Sequence, residues 1–193
     1  MRLLKNVFSL IMFAMLVIGC SEKTATNVST GQNMENKIGW EKDLEAKLKL
    51  YGHRNWIVIA DGAYPQQSNP AIETITIDAS QLEAVEYVSN LVEKATHVNA
   101  NIFVDKELGF VAEENAKGIT LYRNNLKNVL EGKPVKTMLH EDIIRELDAS
   151  AKLFNVLIIK TDLAIPYTSV FFQLECGYWN SESENMLREA LKK

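Results

Sequence analysis

Two side chains suited to proton exchange and polar binding lie within residues 52–65, which read Gly-His-Arg-Asn-Trp-Ile-Val-Ile-Ala-Asp-Gly-Ala-Tyr-Pro. His53 carries an imidazole, whose ordinary pKa lies near neutrality as general acid–base work requires. Asp61 follows the apolar run Trp56–Ala60, and Gly62 lets the backbone turn tightly beside it. A β-branched apolar run closed by turn residues predicts a strand buried on both faces, the kind found inside α/β sheets. Ligands of such sheets collect beyond the carboxyl ends of the strands, where Asp61 falls. Taken alone, the segment reads more readily as a loop histidine and a strand-capping aspartate than as a site.

The elements that would position these residues alternate along the chain. Residues 41–50 predict a weak helix with Trp40 at its start and Gly52 as its stop. The Thr/Ile alternation of 74–77 predicts a second strand. Ser80 and Glu83 form a capping box, and Leu82, Val85, Val88, Val92 and Ala95 follow at helical spacing. A strand at 97–104, a helix at 119–130 ended by Gly132 and a strand at 135–139 come next. His140 opens a helix whose apolar face is Ile143, Ile144, Leu147 and Ala151. Strands at 156–159 and 170–174 precede a polar terminal helix at 181–193, a surface or subunit-contact element. This alternation predicts an α/β fold, a sheet with helices on both faces. Glycine-rich phosphate loops, CxxC pairs and HExxH are absent from the sequence, so nucleotide-binding and zinc-protease readings lack support.

The first nineteen residues have the form of an export signal: Arg2 and Lys5, then a mostly apolar run, then a small residue before Cys20. The apolar run is short for a membrane-spanning helix. A small residue followed by cysteine resembles the bacterial lipobox, which makes Cys20 the lipidated mature N-terminus. Ser21 after it, in place of aspartate, implies the outer membrane, on its periplasmic or surface side. Residues 20–37, rich in Ser, Thr, Asn, Lys and Gln, predict a flexible tether, and 38–193 a single domain. Cys176 is then left without a disulfide partner and reads as a small buried strand residue. Losing Arg2 and Lys5 moves the formal charge from -4 to -6. A mildly acidic domain with no basic cluster argues against nucleic acid and against electrostatic membrane docking, so attachment would fall to the lipid.

Residues 160–172, Lys-Thr-Asp-Leu-Ala-Ile-Pro-Tyr-Thr-Ser-Val-Phe-Phe, close a loop on Pro166-Tyr167 before the last strand. With the Gly-His…Asp block and His140, this pattern resembles the D-ribose pyranase / L-fucose mutarotase (RbsD/FucU) family over roughly residues 40 to 180. The resemblance implies a three-layer α/β/α sandwich and a sugar-ring isomerase. His53 would be the acid–base residue, and Asp61, His140, Tyr167 and Ser169 would bind substrate. No metal or organic cofactor is implied. A binding protein that keeps the pocket without turnover is the alternative. Ser169 stands where the family has asparagine, and Leu163 where glutamate is frequent. The export signal is a third departure, because family members are usually cytoplasmic.

Mutarotation opens a cyclic hemiacetal and recloses it, so one group protonates the ring oxygen while another deprotonates the anomeric hydroxyl. His97, at a strand start, reads as structural, and Tyr64 as packing. His140 at a helix N-terminus is expected to stay neutral, since the helix dipole disfavours an imidazolium there. A straight strand would hold His53 and Asp61 on the order of 20 Å apart at ~3.3 Å per residue. They could share a pocket only across a subunit contact. The resemblance implies the same, since family members form ring-shaped oligomers with sites at subunit contacts, so a homo-oligomer is expected, a decamer by analogy.

Overall fold

The computed structural model describes residues 29–192, so Cys20 and the signal segment lie outside the described residues. Its elements are α1 (Ser29–Leu50), β1 (Trp56–Ala60), β2 (Ile72–Thr76), α2 (Gln81–Lys94), β3 (Val98–Asp105), α3 (Ile119–Val129), β4 (Val135–Met138), α4 (His140–Ser150), β5 (Val156–Lys160), β6 (Val170–Cys176) and α5 (Ser181–Ala190). The strands form one mixed sheet in the order β2-β5-β1-β6-β3-β4. β6 pairs antiparallel with both of its neighbours, and every other pairing is parallel.

The reversal of β6 has a simple cause. Nine residues separate the end of β5 at Lys160 from Val170, whereas a parallel return needs a crossover of about a dozen residues or more. The chain therefore turns at the carboxyl edge of the sheet and re-enters it from there. The loop carrying Tyr167 is held beside Asp61 for that reason.

All of β1 is buried, as the continuous apolar run requires. On one face Leu44 and Leu48 of α1, Val85 and Val88 of α2, and Ile119 and Leu126 of α3 pack on Ile57, Ile59 and Phe172. On the other, Ile143 and Leu147 of α4 and Ala151 just after it cover Trp56, Val58, Ile158 and Phe171. This is the three-layer α/β/α arrangement. The Ser80–Glu83 capping box forms in both directions, Glu83 N–H donating to Ser80 Oγ at 3.3 Å and Ser80 N–H to Glu83 Oε2 at 2.9 Å. Such a cap stabilises a helix by about 1 kcal/mol.

Three details differ from the sequence reading. α1 begins at Ser29 and takes in the latter part of 20–37, since extending a helix adds one hydrogen bond per residue once a turn exists. β2 starts at Ile72, because Ala71 C=O already accepts from Val156 N–H of β5. Cys176 is only half-buried, lying at the last position of β6 where the covering layers end. His97 ties the layers as a structural residue would, its Nε2 lying 2.9 Å from the Leu48 carbonyl at the end of α1. Among the described residues no helix is long and apolar enough to cross a membrane.

Candidate active site at the carboxyl edge of the sheet

The ends of β1, β3 and β4 and the start of β6 meet at one edge. Asp61 follows β1, Asp105 ends β3, His140 opens α4, and Tyr167 precedes β6. A cavity of about 410 Å³ lies there, lined by Asp61, Tyr64, Gln67, His140, Ile144 and Tyr167. That volume is in the range of small-molecule sites. Asp61 is fixed by its own turn, Oδ1 accepting from Ala63 N–H at 2.8 Å while Gly62 N–H donates to Leu163 C=O at 2.8 Å. Tyr64 is buried under the cavity, and burial pushes its phenol up to about 12, so it stays protonated.

His140 is held from two sides. Its backbone N–H donates to the Glu107 carboxylate at 3.1 Å, which supplies the helix cap that Leu139 cannot. Its Nδ1 lies 3.0 Å from Asp105 Oδ2. The Asp105 side chain is 0% exposed, and its Oδ1 has no hydrogen-bond partner. The hydrogen bond to Asp105 raises the His140 pKa above its ordinary value. Burial raises Asp105 in turn, against the pull of His140. The lowering of the His140 pKa expected from the helix dipole is thus corrected in direction: a buried carboxylate in contact outweighs the partial charge of a helix end. With Nδ1 committed to Asp105, Nε2 is the nitrogen left to exchange protons with a bound hydroxyl.

The Tyr167 ring meets His140 edge-on at 5.8 Å between centroids and is 40% exposed. Its φ of 58° is left-handed, a conformation that costs a non-glycine residue of order 1–3 kcal/mol. A buried network holds the loop in that shape. Gln81 Nε2 and Tyr122 Oη both donate to Thr168 C=O, and Thr161 Oγ1 donates to Gln81 Oε1 at 2.9 Å. Gln81→Ala removes the better-placed acceptor of the Thr161 hydroxyl and a donor to Thr168 C=O, and opens a gap. Chemical denaturation should register a loss of about 2 kcal/mol.

His53 is elsewhere in the subunit, before β1 at the opposite edge of the sheet. Its Nδ1 lies 2.8 Å from Glu175 Oε2, and Arg54 Nε–H donates to its Nε2 at 3.1 Å. An acceptor role for Nε2 puts the ring proton on Nδ1. Ser169 is buried at 1% exposure, just before β6, and does not line the cavity. One chain therefore brings together Asp61, His140 and Tyr167 and leaves His53 and Ser169 out. Asp105 is the residue that sequence reasoning missed. It ends an apolar strand, the same signal that singled out Asp61. Among the described residues no three His, Cys, Asp or Glu side chains are grouped to hold a metal ion.

A cleft at the carboxyl edge of an α/β sheet, with a carboxylate-backed histidine and an aromatic wall, lies where such sheets collect small-molecule ligands. The family model described as the RbsD / FucU transport protein family matches residues 34–177, and the chain belongs to that family. Solved structures similar to it include Bacillus subtilis RbsD complexed with D-ribose, at 16% identity and TM-score 0.48, covering 72% of this chain and 93% of that one. FucU from Bifidobacterium longum matches at 15% and 0.48, covering 72% and 96%. The fucose mutarotase from Streptococcus pneumoniae in complex with L-fucose matches at 20% and 0.45, covering 72% and 93%. No curated protein matches the chain.

Proposed function

We propose that the protein is a sugar-ring isomerase, a pyranase or mutarotase that interconverts cyclic forms of a monosaccharide. The observation that carries this reading is the Asp105-backed His140 facing a monosaccharide-sized cavity beside Asp61 and Tyr167, in a chain of the RbsD / FucU family. Asp61 accepts hydrogen bonds from sugar hydroxyls, and the exposed Tyr167 ring offers the apolar face of the sugar a surface. Ring opening needs a proton delivered to the ring oxygen as another leaves the anomeric hydroxyl. His53 of a neighbouring subunit and His140 supply the two imidazoles, one as acid and the other as base, and reclosure reverses the roles. The test is NMR exchange between sugar forms, measured with the full chain and a panel that includes ribose and fucose. Acceleration above the uncatalysed exchange is the expected result; none with any sugar would overturn the reading. The buried Ser169, in place of the family's asparagine, favours a second reading, a monosaccharide-binding protein without turnover. Binding without acceleration would select it.

From the form of residues 1–20 we also propose export and lipidation at Cys20, with attachment at a bacterial outer membrane. Cys20→Ser should release the protein into the soluble fraction without the acyl mass on its N-terminal peptide, checked by fractionation and mass spectrometry. A wild-type N-terminal peptide carrying no lipid would refute the anchor.

A further inference from the structure

α5 lies beyond the family match, which ends at residue 177. None of its side chains is buried. Leu187 and Leu191 stand one turn apart, as do Met186 and Ala190, so four apolar residues share one side of the helix. Met186 is 62% and Leu191 69% exposed, and Trp179 just before the helix is 45% exposed. A ten-residue amphipathic helix is marginal in water unless its apolar face is covered.

The molecule also carries a groove of about 860 Å³ between α3 and the edge strand β4. Leu108, Phe110, Leu126 and Leu130 form its apolar wall, with Lys106 and Lys127 among its charged lining. Phe110 is 80% exposed. The first turn of α5 is acidic, with Glu182 and Glu184; Glu184 already accepts from Arg188 Nε–H at 2.7 Å and Trp179 Nε1–H at 2.8 Å, which leaves Glu182 as the leading charge. An apolar helix face with an acidic leading end matches an apolar groove lined in part by lysines.

α5 and the Lys106–Phe110 end of the groove lie at opposite ends of the sheet, while Gly132 and Lys133 line the groove's other end, before β4. α5 leaves after β6, at the edge that carries His53, and Lys106 and Phe110 follow β3 at the edge that carries His140. The connection is also short and tied down: Gly177 N–H donates to His97 C=O at 3.0 Å, and the Asn180 side chain caps the helix by accepting from Ser183 N–H at 2.9 Å. A head-to-tail contact would place the His53 edge of one subunit against the His140 edge of the next, and α5 would arrive at the neighbour's groove.

We infer that α5 is a strap that seats its apolar face in the α3–β4 groove of a second copy of this chain. The inference rests on the proposed head-to-tail site for the direction of the contact. It is tested with p-benzoylphenylalanine placed at Leu187 of the full chain, mixed with ¹⁵N-labelled chain lacking the probe and irradiated. Cross-links to ¹⁵N peptides from residues 106–135 are expected. Cross-links confined to the probe's own chain, or none in that region, overturn the strap. Replacing Met186 and Leu187 together with Asp, both on the surface, should weaken self-association at least tenfold on sedimentation with unchanged circular dichroism; unchanged association also overturns it. The two ideas fail separately. Activity restored between complementary site variants without groove cross-links removes the strap and leaves the shared site, and cross-links without restoration do the reverse.

Discussion

His53→Ala should lower accelerated sugar exchange by ~10²–10⁴-fold, the usual contribution of a positioned acid–base group, while leaving the fold intact. His53 is half exposed and touches only Glu175 and Arg54 through its ring nitrogens, so little packing is lost. Asp61→Ala should be similarly inactive, because its carboxylate lines the cavity. The informative experiment is the mixture. In one chain the two residues sit at opposite ends of β1, a strand buried along its whole length, and no side-chain motion closes that gap. If each site takes His53 from one subunit and Asp61 from the next, then a randomly mixed head-to-tail assembly of the two inactive chains regains about a quarter of its sites. The measurement is NMR exchange after the two proteins have been allowed to exchange subunits. A mixture as inactive as its parts would refute the shared site. The local geometry suits the role: Nε2 of His53 carries the lone pair, and Arg54, which now occupies it, sits on a left-handed turn with φ 75°.

Much of this arrangement was legible in the residues. The buried strand at Trp56–Ala60, the capping box at Ser80 and the helix opening at His140 each rest on a strong local pattern, and each forms as read. The placement of Asp61 beyond a strand end follows from the same pattern. What could not be read depends on pairing across the chain. Nothing local to residues 170–176 says that they insert antiparallel between β1 and β3, yet that insertion sets Tyr167 beside His140. The Gln81, Tyr122, Thr161 and Thr168 network joins three segments far apart in sequence, and no single one of them looks unusual. Asp105 carries the same strand-end signal as Asp61, but that signal alone does not rank it as functional. Its importance lies in its contact with His140, 35 residues away.

That contact supports the second large effect. Asp105→Asn keeps the size of the side chain but replaces an acceptor-only carboxylate with an amide that can donate. An amide N–H directed at Nδ1 turns that nitrogen into an acceptor, so the ring proton moves to Nε2, the atom that must take a proton from a sugar hydroxyl. Exchange should fall on the order of 10²-fold, with sugar affinity much less affected because Asp61 and Tyr167 remain. The pH dependence separates this from a merely structural loss. His140 is raised by its bond to Asp105, and Asp105 is raised by burial, so the folded pair holds protons more tightly than the unfolded chain does. By linkage, this contribution is complete at low pH and is lost as pH climbs from the ordinary carboxylate range through the raised His140 value. In Asp105→Asn the carboxylate no longer titrates, and the His140 midpoint should drop toward the ordinary histidine value of about 6.5. The His140 ring-proton resonance followed by NMR gives that midpoint directly, and denaturation at several pH values gives the slope. A midpoint that does not move, or exchange that survives the substitution, would separate Asp105 from the chemistry and leave it as a buried acid whose only role is packing.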